Sequence, residues 1–322
     1  MVFNMRTKDK RVYILELYAK QIESIPFVSS DGVKFHMVDA FICPLCLHTY
    51  AIGNTELTLE HVPPESVGGK PILITCKACN SNRGADIDVC LMNELEIVHN
   101  LTHLDTIPQK TKLAFNGVEI NAQTTFSKTD GFKFMISPDN NNPIEFEGFM
   151  TEVKNAKEGY KIKIVADITN RKRDYDLANI ALLKSAYLMA FHELGYMYVL
   201  NANTNIIRAQ IQNPKKNVIG NAFIIDSKNG VIENLSDGVY YAQLNNVGCV
   251  IVIMELKLRQ SEIKHRKAIV LPHPKDSHGQ IYSELSQQIG KIVNVRILGS
   301  VSPLPVTSVK VDEKMSDLYG NI

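Results

Sequence analysis

The sequence lacks any run of about 18 or more apolar residues, the length that would indicate a membrane-spanning helix. Residues 1–24 also lack the apolar core bounded by small residues that is typical of a secretory signal peptide. The formal net charge is only +1, so no overall electrostatic field draws the chain to nucleic acid, and such attraction must come from local patches. These absences predict a protein without a membrane span and with a cytoplasmic location.

Cysteine is scarce, with six residues in a chain of 322, and four of the six fall within one short segment. The other two, Cys90 and Cys249, lie in apolar stretches and are expected to be buried free thiols. This usage fits a reducing interior better than a secreted disulfide scaffold. The length and the apolar fraction of 45% are sufficient for two or three domains with a sizeable core.

The segment with four cysteines contains two Cys-x-x-Cys pairs, Cys43 with Cys46 and Cys76 with Cys79, separated by 29 residues. Four thiolates at this spacing suit one tetrahedral structural zinc ion. Metal binding at such a site contributes folding free energy on the order of 10 kcal/mol and performs no chemistry. Because a zinc ribbon needs only the cysteines, they leave open a zinc-stapled nucleic-acid or protein binding module without catalysis.

Three further residues of this segment, Glu60, His61 and Asn80, are not needed by a zinc ribbon. A neutral imidazole near pH 7 suits the deprotonation of water, which predicts His61 as a general base; a core histidine or an unused zinc ligand is the alternative. Glu60 and Asn80 carry oxygen donors of the kind that a hard catalytic cation such as Mg²⁺ or Mn²⁺ prefers. The alternative for Asn80 is a helix N-cap.

Taken in order, these residues make the segment resemble an HNH endonuclease, also called a ββα-metal nuclease, over about residues 35–95. The family motif is a C-x-x-C pair, an acidic residue followed by His, a Pro, a Gly-Gly, and a second C-x-x-C followed by Asn and a later Gly. Besides the cysteines, the matching residues are Glu60, His61, Pro64, Gly68, Gly69, Asn80 and Gly84. Family members more often have Asp where this chain has Glu60.

The resemblance implies a metal-dependent endonuclease that hydrolyses DNA phosphodiester bonds and leaves 5′-phosphate and 3′-hydroxyl ends. His61 would activate water, Glu60 and Asn80 would hold Mg²⁺ or Mn²⁺, and the four cysteines would hold Zn²⁺. The implied fold has strands at Thr58–His61 and Ile72–Thr75, joined by a loop in which the two glycines allow a tight turn. A helix then starts at Asn80 and runs to about residue 96.

Two basic residues of the segment are candidate phosphate contacts. A guanidinium near a helix start suits a phosphate, which points to Arg83, and Lys70 follows the two glycines. A surface role is the alternative for each. His99, His103, His273 and His278 are expected to be structural, and His48 is not counted as a zinc ligand because four cysteines complete the shell.

The rest of the chain predicts an α+β fold. Apolar spacing predicts a helix over residues 8–24, and alternation from Thr111 to Asp167 predicts antiparallel strands in LAFNGVEINAQTTF, GFKFMI, IEFEGFM and YKIKIVADI. The clearest helix is Asp174–Leu194, with one apolar stripe and with Gly195 at its end. After it we expect strands in YMYVL, NIIRAQI, NVIGNAFIID, GVYYAQL, VGCVIVIME and KAIVL, a polar helix in SELSQQIG, a strand in IVNVRIL, and a loose tail from residue 300.

The predicted organisation is an N-terminal helical segment (1–34), a nuclease module (35–110), an α+β specificity or regulatory domain with one central helix (111–299) and a tail (300–322). Basic clusters at residues 171–173, 215–216 and 257–267 either contact phosphates or are ordinary solvated loops. The domain 111–299 could instead bind a protein partner or a ligand that gates the nuclease. By analogy of architecture, a bacterial restriction or anti-phage defence nuclease is expected.

Overall fold

The computed structural model describes residues 6–82, 84–102, 108–127, 129–156, 161–166, 174–220, 223–225, 230–259, 261, 264–275, 280–287 and 295–310. The helices are α1 (Thr7–Glu23), α2 (Gly84–Thr102), α3 (Pro143–Lys154), α4 (Tyr175–Leu194), α5 (Tyr196–Val199), α6 (Asn205–Gln212), α7 (Gly230–Glu233) and α8 (Gln280–Gln287). The strands are β1 (Phe27–Val28), β2 (Lys34–Phe35), β3 (Ala40–Ile42), β4 (Thr49–Ala51), β5 (Leu57–Val62), β6 (Lys70–Cys76), β7 (Gln109–Phe115), β8 (Val118–Ser127), β9 (Gly131–Met135), β10 (Lys163–Ala166), β11 (Ile224–Ile225), β12 (Gly238–Leu244), β13 (Val247–Lys257), β14 (Lys264–Pro272), β15 (Val295–Ser300) and β16 (Val309–Lys310).

The chain groups into two compact units by contact. The larger unit contains residues 1–92 and 174–322, and the smaller unit contains residues 93–173. The four-part organisation with boundaries at 34/35, 110/111 and 299/300 does not coincide with this grouping and stays a prediction about function. In the larger unit, the four-cysteine segment folds with helices and strands that are distant in the sequence.

Helix α4 lies at the centre of the larger unit. It packs against strands β12, β13 and β14 and also against β5 and β6. Fifteen of its residues are buried, so the expectation of one apolar stripe is wrong: elements cover the helix on nearly all sides. Its predicted ends are confirmed, because the Asp174 carboxylate accepts a hydrogen bond from the Leu177 amide at 3.0 Å and Gly195 follows the last residue with φ +74°.

The main sheet of the larger unit is antiparallel and has the strand order β11-β14-β13-β12-β15. Strand β13 is buried along most of its length, from Cys249 to Met254. The predicted strands in GVYYAQL, VGCVIVIME and KAIVL are confirmed as β12 to β14. The strand in IVNVRIL and the polar helix in SELSQQIG are confirmed over their described residues, as β15 from Val295 and as α8 up to Gln287; residues 288–290 and 292–294 lie outside the described part of the chain.

Two predicted strands after α4 are wrong, because YMYVL and NIIRAQI form the helices α5 and α6. Short apolar runs do not separate strand from helix by pattern alone. Ile207 and Ile211 lie four residues apart on the buried side of α6, which is the helical spacing. In NVIGNAFIID, only residues 224–225 form a strand among the described residues.

The smaller unit is an antiparallel sheet with the order β10-β7-β8-β9 and the helix α3 packed on it. Its core consists of Leu113, Phe115, Ile120, Ala122 and Phe149. The strand predicted in IEFEGFM is wrong, since these residues belong to α3. The helix starts there because the Asn142 side chain accepts a hydrogen bond from the Ile144 amide at 2.9 Å and Pro143 occupies the first helical position.

Both ends of the described chain are held in the larger unit. The predicted first helix is confirmed as α1, and its Tyr18 ring stacks on Phe191 of α4 with centroids 4.7 Å apart. Of its predicted apolar face, Val12 and Leu17 are exposed. The expectation of a loose tail from residue 300 is wrong up to residue 310, because β16 pairs in parallel with β1. In the described part of the chain, no helix is both long and apolar enough to cross a membrane.

Candidate functional site

Four cysteine thiols converge at one place in the larger unit. Cys43 and Cys46 lie in the turn between β3 and β4, while Cys76 ends β6 and Cys79 lies in the π-helical turn Ala78–Asn82. Their sulfur atoms all lie within 4.8 Å of one another, and the Sγ atoms of Cys46 and Cys76 are 3.7 Å apart. Tetrahedral zinc with Zn–S bonds of about 2.3 Å separates its sulfurs by about 3.8 Å. The four cysteines therefore fit a structural zinc ion.

The burial of the cluster indicates that it needs a cation. Burial, followed by hydrogen bonds with the neighbouring thiols, raises the pKa of Cys43 well above its ordinary value. Four thiolates this close together repel one another unless a cation neutralises them. Cys90 and Cys249 are buried as expected and do not belong to the group of four.

The first cysteine turn is held in place by side chains from α4 and α6. Tyr187 donates a hydrogen bond to the Pro44 carbonyl at 3.2 Å, and Gln212 donates to the Leu45 carbonyl at 2.6 Å. The buried Arg208 in turn donates to the Tyr187 hydroxyl at 2.8 Å. Sequence analysis missed this support, because the partners are more than 140 positions apart along the chain.

Strands β5 and β6 form the predicted hairpin, with one irregularity in their pairing. The pairing shifts between Glu60, which is opposite Leu73, and His61, which is opposite Pro71. Glu60 is buried, whereas the His61 side chain is 34% exposed. The predicted general base thus lies on the accessible side of the hairpin, and the neighbouring carboxylate lies inside.

The loop between the two strands requires both of its glycines. A Cβ atom at Gly69 would lie 1.4 Å from the Pro63 carbonyl oxygen, so no side chain fits there. Gly68 has φ +93°, a backbone conformation that side chains other than glycine rarely adopt. The predicted tight turn is therefore confirmed, and it fixes the loop close to His61.

The carboxylate of Glu60 contacts two buried groups. Its Oε1 atom is 2.8 Å from Nζ of Lys184 on α4, and its Oε2 atom accepts a hydrogen bond from the Thr75 hydroxyl at 2.8 Å. The side chains of Glu60 and Lys184 are each only 3% exposed. A cation that used this carboxylate would have to share it with an ammonium group. The ligand role of Glu60 stays a prediction, and the contacts give it a second role as the partner of Lys184.

A second carboxylate completes this buried charge cluster. Asp88 of α2 has its Oδ2 atom 3.2 Å from Nζ of Lys184. Burial raises the pKa of Asp88 to about 6, although the ammonium of Lys184 opposes that shift. Burial alone would lower the pKa of Lys184, but Glu60 and Asp88 outweigh it and raise that pKa above its ordinary value. Sequence analysis did not identify Lys184 as a site residue. The only indication in the sequence was the position of a lysine inside a strongly apolar helix.

Asn80 is fixed against the backbone of β5. Its Nδ2 atom donates to the Leu59 carbonyl at 2.9 Å and to the Thr58 hydroxyl at 3.1 Å. Since a carbonyl oxygen only accepts, these contacts assign which atom is the nitrogen and leave Oδ1 as the atom that can meet a cation. The side chain is directed at the strand and not at α2, which starts at Gly84, so the contacts do not support the N-cap alternative.

The exposed side of the hairpin carries one further acidic residue. Glu65, in the loop after β5, places Oε2 at 3.9 Å from Nε2 of His61. Its other oxygen, Oε1, accepts a hydrogen bond from Arg259 at 2.7 Å. The sequence offered a weak signal for Glu65, a carboxylate four residues after the histidine. Arg259 belongs to the basic cluster 257–267 that the sequence marks, but its pairing with Glu65, 194 positions away, has no sequence signal.

The other predicted residues take varied positions. Lys70 is exposed at the start of β6, His48 is exposed beside the cysteine turn, and His273 packs its ring against Tyr241 at 5.1 Å. Arg83, the basic cluster at residues 171–173, His103 and His278 lie outside the described residues, as does the side chain of His99.

Comparison with known proteins supports the interpretation of this segment. A sequence model of the HNH endonuclease family matches residues 43–96, which include the four cysteines, the β5–β6 hairpin and the first part of α2. A search of curated proteins and a search of solved structures each returned no match. The match covers a segment of the chain and agrees with the cysteine cluster, the hairpin and the accessible histidine. Residues 43–96 are therefore an HNH endonuclease domain, which makes the chain that carries them an enzyme of the nuclease class.

Proposed function

We propose that this protein is a metal-dependent endonuclease that hydrolyses phosphodiester bonds in DNA, with His61 as the general base. The observation that carries the proposal is the accessible position of His61 on β5, within the segment that matches the HNH endonuclease family. His61 is accessible on the hairpin surface, while Glu60 is buried and charge-compensated. A binding module built on the cysteines alone requires neither arrangement.

His61 takes the proton from the attacking water. A neutral imidazole suits this task near pH 7, and general bases of this kind contribute about 10²- to 10⁴-fold in rate. The carboxylate of Glu65, 3.9 Å from Nε2, stabilises the imidazolium that forms. The tight glycine loop keeps this carboxylate beside the histidine.

A divalent cation, Mg²⁺ or Mn²⁺, would supply Lewis-acid stabilisation of the charge that develops on the phosphate. Oδ1 of Asn80 is suited to hold it, because the amide nitrogen is already committed to β5. Such ions keep several waters and bind substrate phosphate as well, so a small protein ligand set is sufficient. Glu60 stays the proposed second ligand; because its carboxylate lies on the buried side of β5, away from the accessible His61, this role requires Glu60 to exchange its contacts with Lys184 and Thr75 for the cation.

The biological role is proposed on architecture alone. A nuclease domain joined to further α+β structure suits restriction or anti-phage defence, with the residues outside 43–96 supplying specificity or regulation. An effector nuclease gated by a partner or ligand bound outside the HNH segment is the alternative. It predicts little activity from the purified protein until the trigger is added.

The test is plasmid nicking in Mg²⁺ or Mn²⁺ with wild type, His61→Ala and, as a matched control, the exposed histidine variant His48→Ala. We expect His61→Ala to lose about 10²-fold or more of the activity and His48→Ala to keep it. Zinc content should be unchanged in His61→Ala and should fall in Cys79→Ser. Equal nicking by wild type and His61→Ala would refute the assignment of the base.

A further inference from the structure

The end of the β13–β14 hairpin lies against the loop of the nuclease domain. Lys257, the last residue of β13, lies close to Gly68. A Cβ atom added to Gly68 would be 3.2 Å from the carbonyl oxygen of Lys257. Two residues further on, Arg259 forms its ion pair with Glu65. A hairpin from outside the matched segment thus reaches the loop that follows β5, next to the proposed general base His61.

This hairpin end is strongly basic. The stretch from 257 to 267, KLRQSEIKHRK, contains five Lys or Arg residues and one Glu. Lys257 and Lys264 face each other across the strand pair, and Lys264 has a salt bridge of 2.8 Å to Glu255. Because the whole chain has a net charge of only +1, such a local concentration of cations is the kind of patch that contacts a polyanion.

The contact between Arg259 and Glu65 is poorly suited to a purely structural role. The two side chains are 77% and 59% exposed, and ion pairs between exposed side chains contribute little to stability. The same Glu65 carboxylate faces His61 with its other oxygen. The Arg259 guanidinium is exposed to solvent and weakly held, and it shares the Glu65 carboxylate with His61. It can therefore exchange Glu65 for another anion.

We propose that Arg259 is a substrate-binding residue that contacts a backbone phosphate of duplex DNA beside His61. This inference rests on the proposed function and adds a binding residue from outside the HNH segment. A planar guanidinium matches a phosphate through two parallel hydrogen bonds. When DNA binds, Arg259 exchanges Glu65 for phosphate, and Glu65 keeps its place beside the histidine. Lys257 and Lys264 contribute to the same basic surface.

Binding is measured separately from cleavage, in the His61→Ala background, with a fluorescein-labelled mixed-sequence duplex of about two helical turns. Arg259→Ala should bind the duplex about tenfold more weakly, which is the effect of losing one charged hydrogen-bonded contact. The slope of log affinity against log salt should become shallower by about 0.9, which corresponds to one phosphate contact fewer. Arg259→Lys should restore the slope and only part of the affinity.

The matched control is Arg296→Ala, which removes an exposed arginine of β15, an edge strand of the same sheet. It should leave both affinity and slope unchanged. Equal affinities for the Arg259→Ala and Arg296→Ala proteins, or a drop in Tm for Arg259→Ala without a change in binding, would overturn the inference. Failure of the proposed function shows itself differently, as absence of plasmid nicking by wild type at any metal concentration, both alone and with candidate partners or ligands added.

Discussion

The buried charge cluster gives the most quantitative prediction, for the substitution Lys184→Met. Methionine keeps the length and apolar volume of the lysine stem and removes only the ammonium, which lies 2.8 Å from Glu60 and 3.2 Å from Asp88. At an effective dielectric constant of about 20, two charges 2.8 Å apart attract by about 6 kcal/mol, and desolvation of the ions offsets part of that.

Removing one partner of such a cluster leaves two carboxylates buried without a counter-ion, which costs about 3–5 kcal/mol. For a unit of this size, that corresponds to a fall in Tm of roughly 6–20 °C. The assay is urea or thermal unfolding of wild type and Lys184→Met, with Lys20→Met as an exposed control on α1 that should stay within about 0.5 kcal/mol of wild type. The double variant Lys184→Met/Glu60→Gln should recover part of the loss.

The pH dependence of the same variant provides an independent test. The folded state raises the pKa of Asp88 from 3.8 to about 6, so it binds this proton more tightly than the unfolded state does. Stability from this group is therefore full below about pH 4 and falls as the pH rises through 6. Without the Lys184 ammonium, the pKa of Asp88 should rise further, so the pH range in which its bound proton stabilises the fold should extend to higher pH. Lys184→Met should therefore lose the least stability at acidic pH. A loss under about 1 kcal/mol at pH 7, or a loss that does not depend on pH, would refute the reasoning.

Two shorter predictions concern the hairpin. Glu60→Gln should lower both stability and the Mg²⁺ affinity of nicking if the carboxylate is a cation ligand, whereas an unchanged Mg²⁺ titration with lowered Tm would restrict it to its partnership with Lys184. Gly69→Ala should distort the loop and lower both the nicking activity and the Tm, because the added Cβ atom would lie 1.4 Å from the Pro63 carbonyl oxygen. The control is Gly230→Ala, where the added Cβ atom has open space around it. Equal behaviour of the two variants would contradict the structure.

The parts of the site that sequence analysis recovered are local in the chain. The cysteine spacing, the β5–β6 hairpin and the accessible histidine follow from a contiguous motif, and α4 follows from its cap at Asp174 and its end at Gly195. The parts that it missed depend on tertiary packing. Lys184 and Glu60 are 124 positions apart in the sequence, and the residues around either one give no indication that the two form an ion pair.

The wrong strand predictions have a similar cause. IEFEGFM alternates as a strand would, but the cap at Asn142 and the proline after it start a helix before the alternation begins. In NIIRAQI, the burial of Ile207 and Ile211 on one side is decided by contact with α4, which a single sequence does not show. Local start signals and tertiary contacts outweigh the alternation pattern in both cases.

During translation, the two acidic residues of the buried charge cluster, Glu60 and Asp88, are synthesised before its lysine, Lys184. The tyrosine that supports the first cysteine turn comes later still. A nascent chain that ends within the first half therefore has two carboxylates to bury and no cation to bury with them. We therefore expect nuclease activity only from chains that are long enough to include α4.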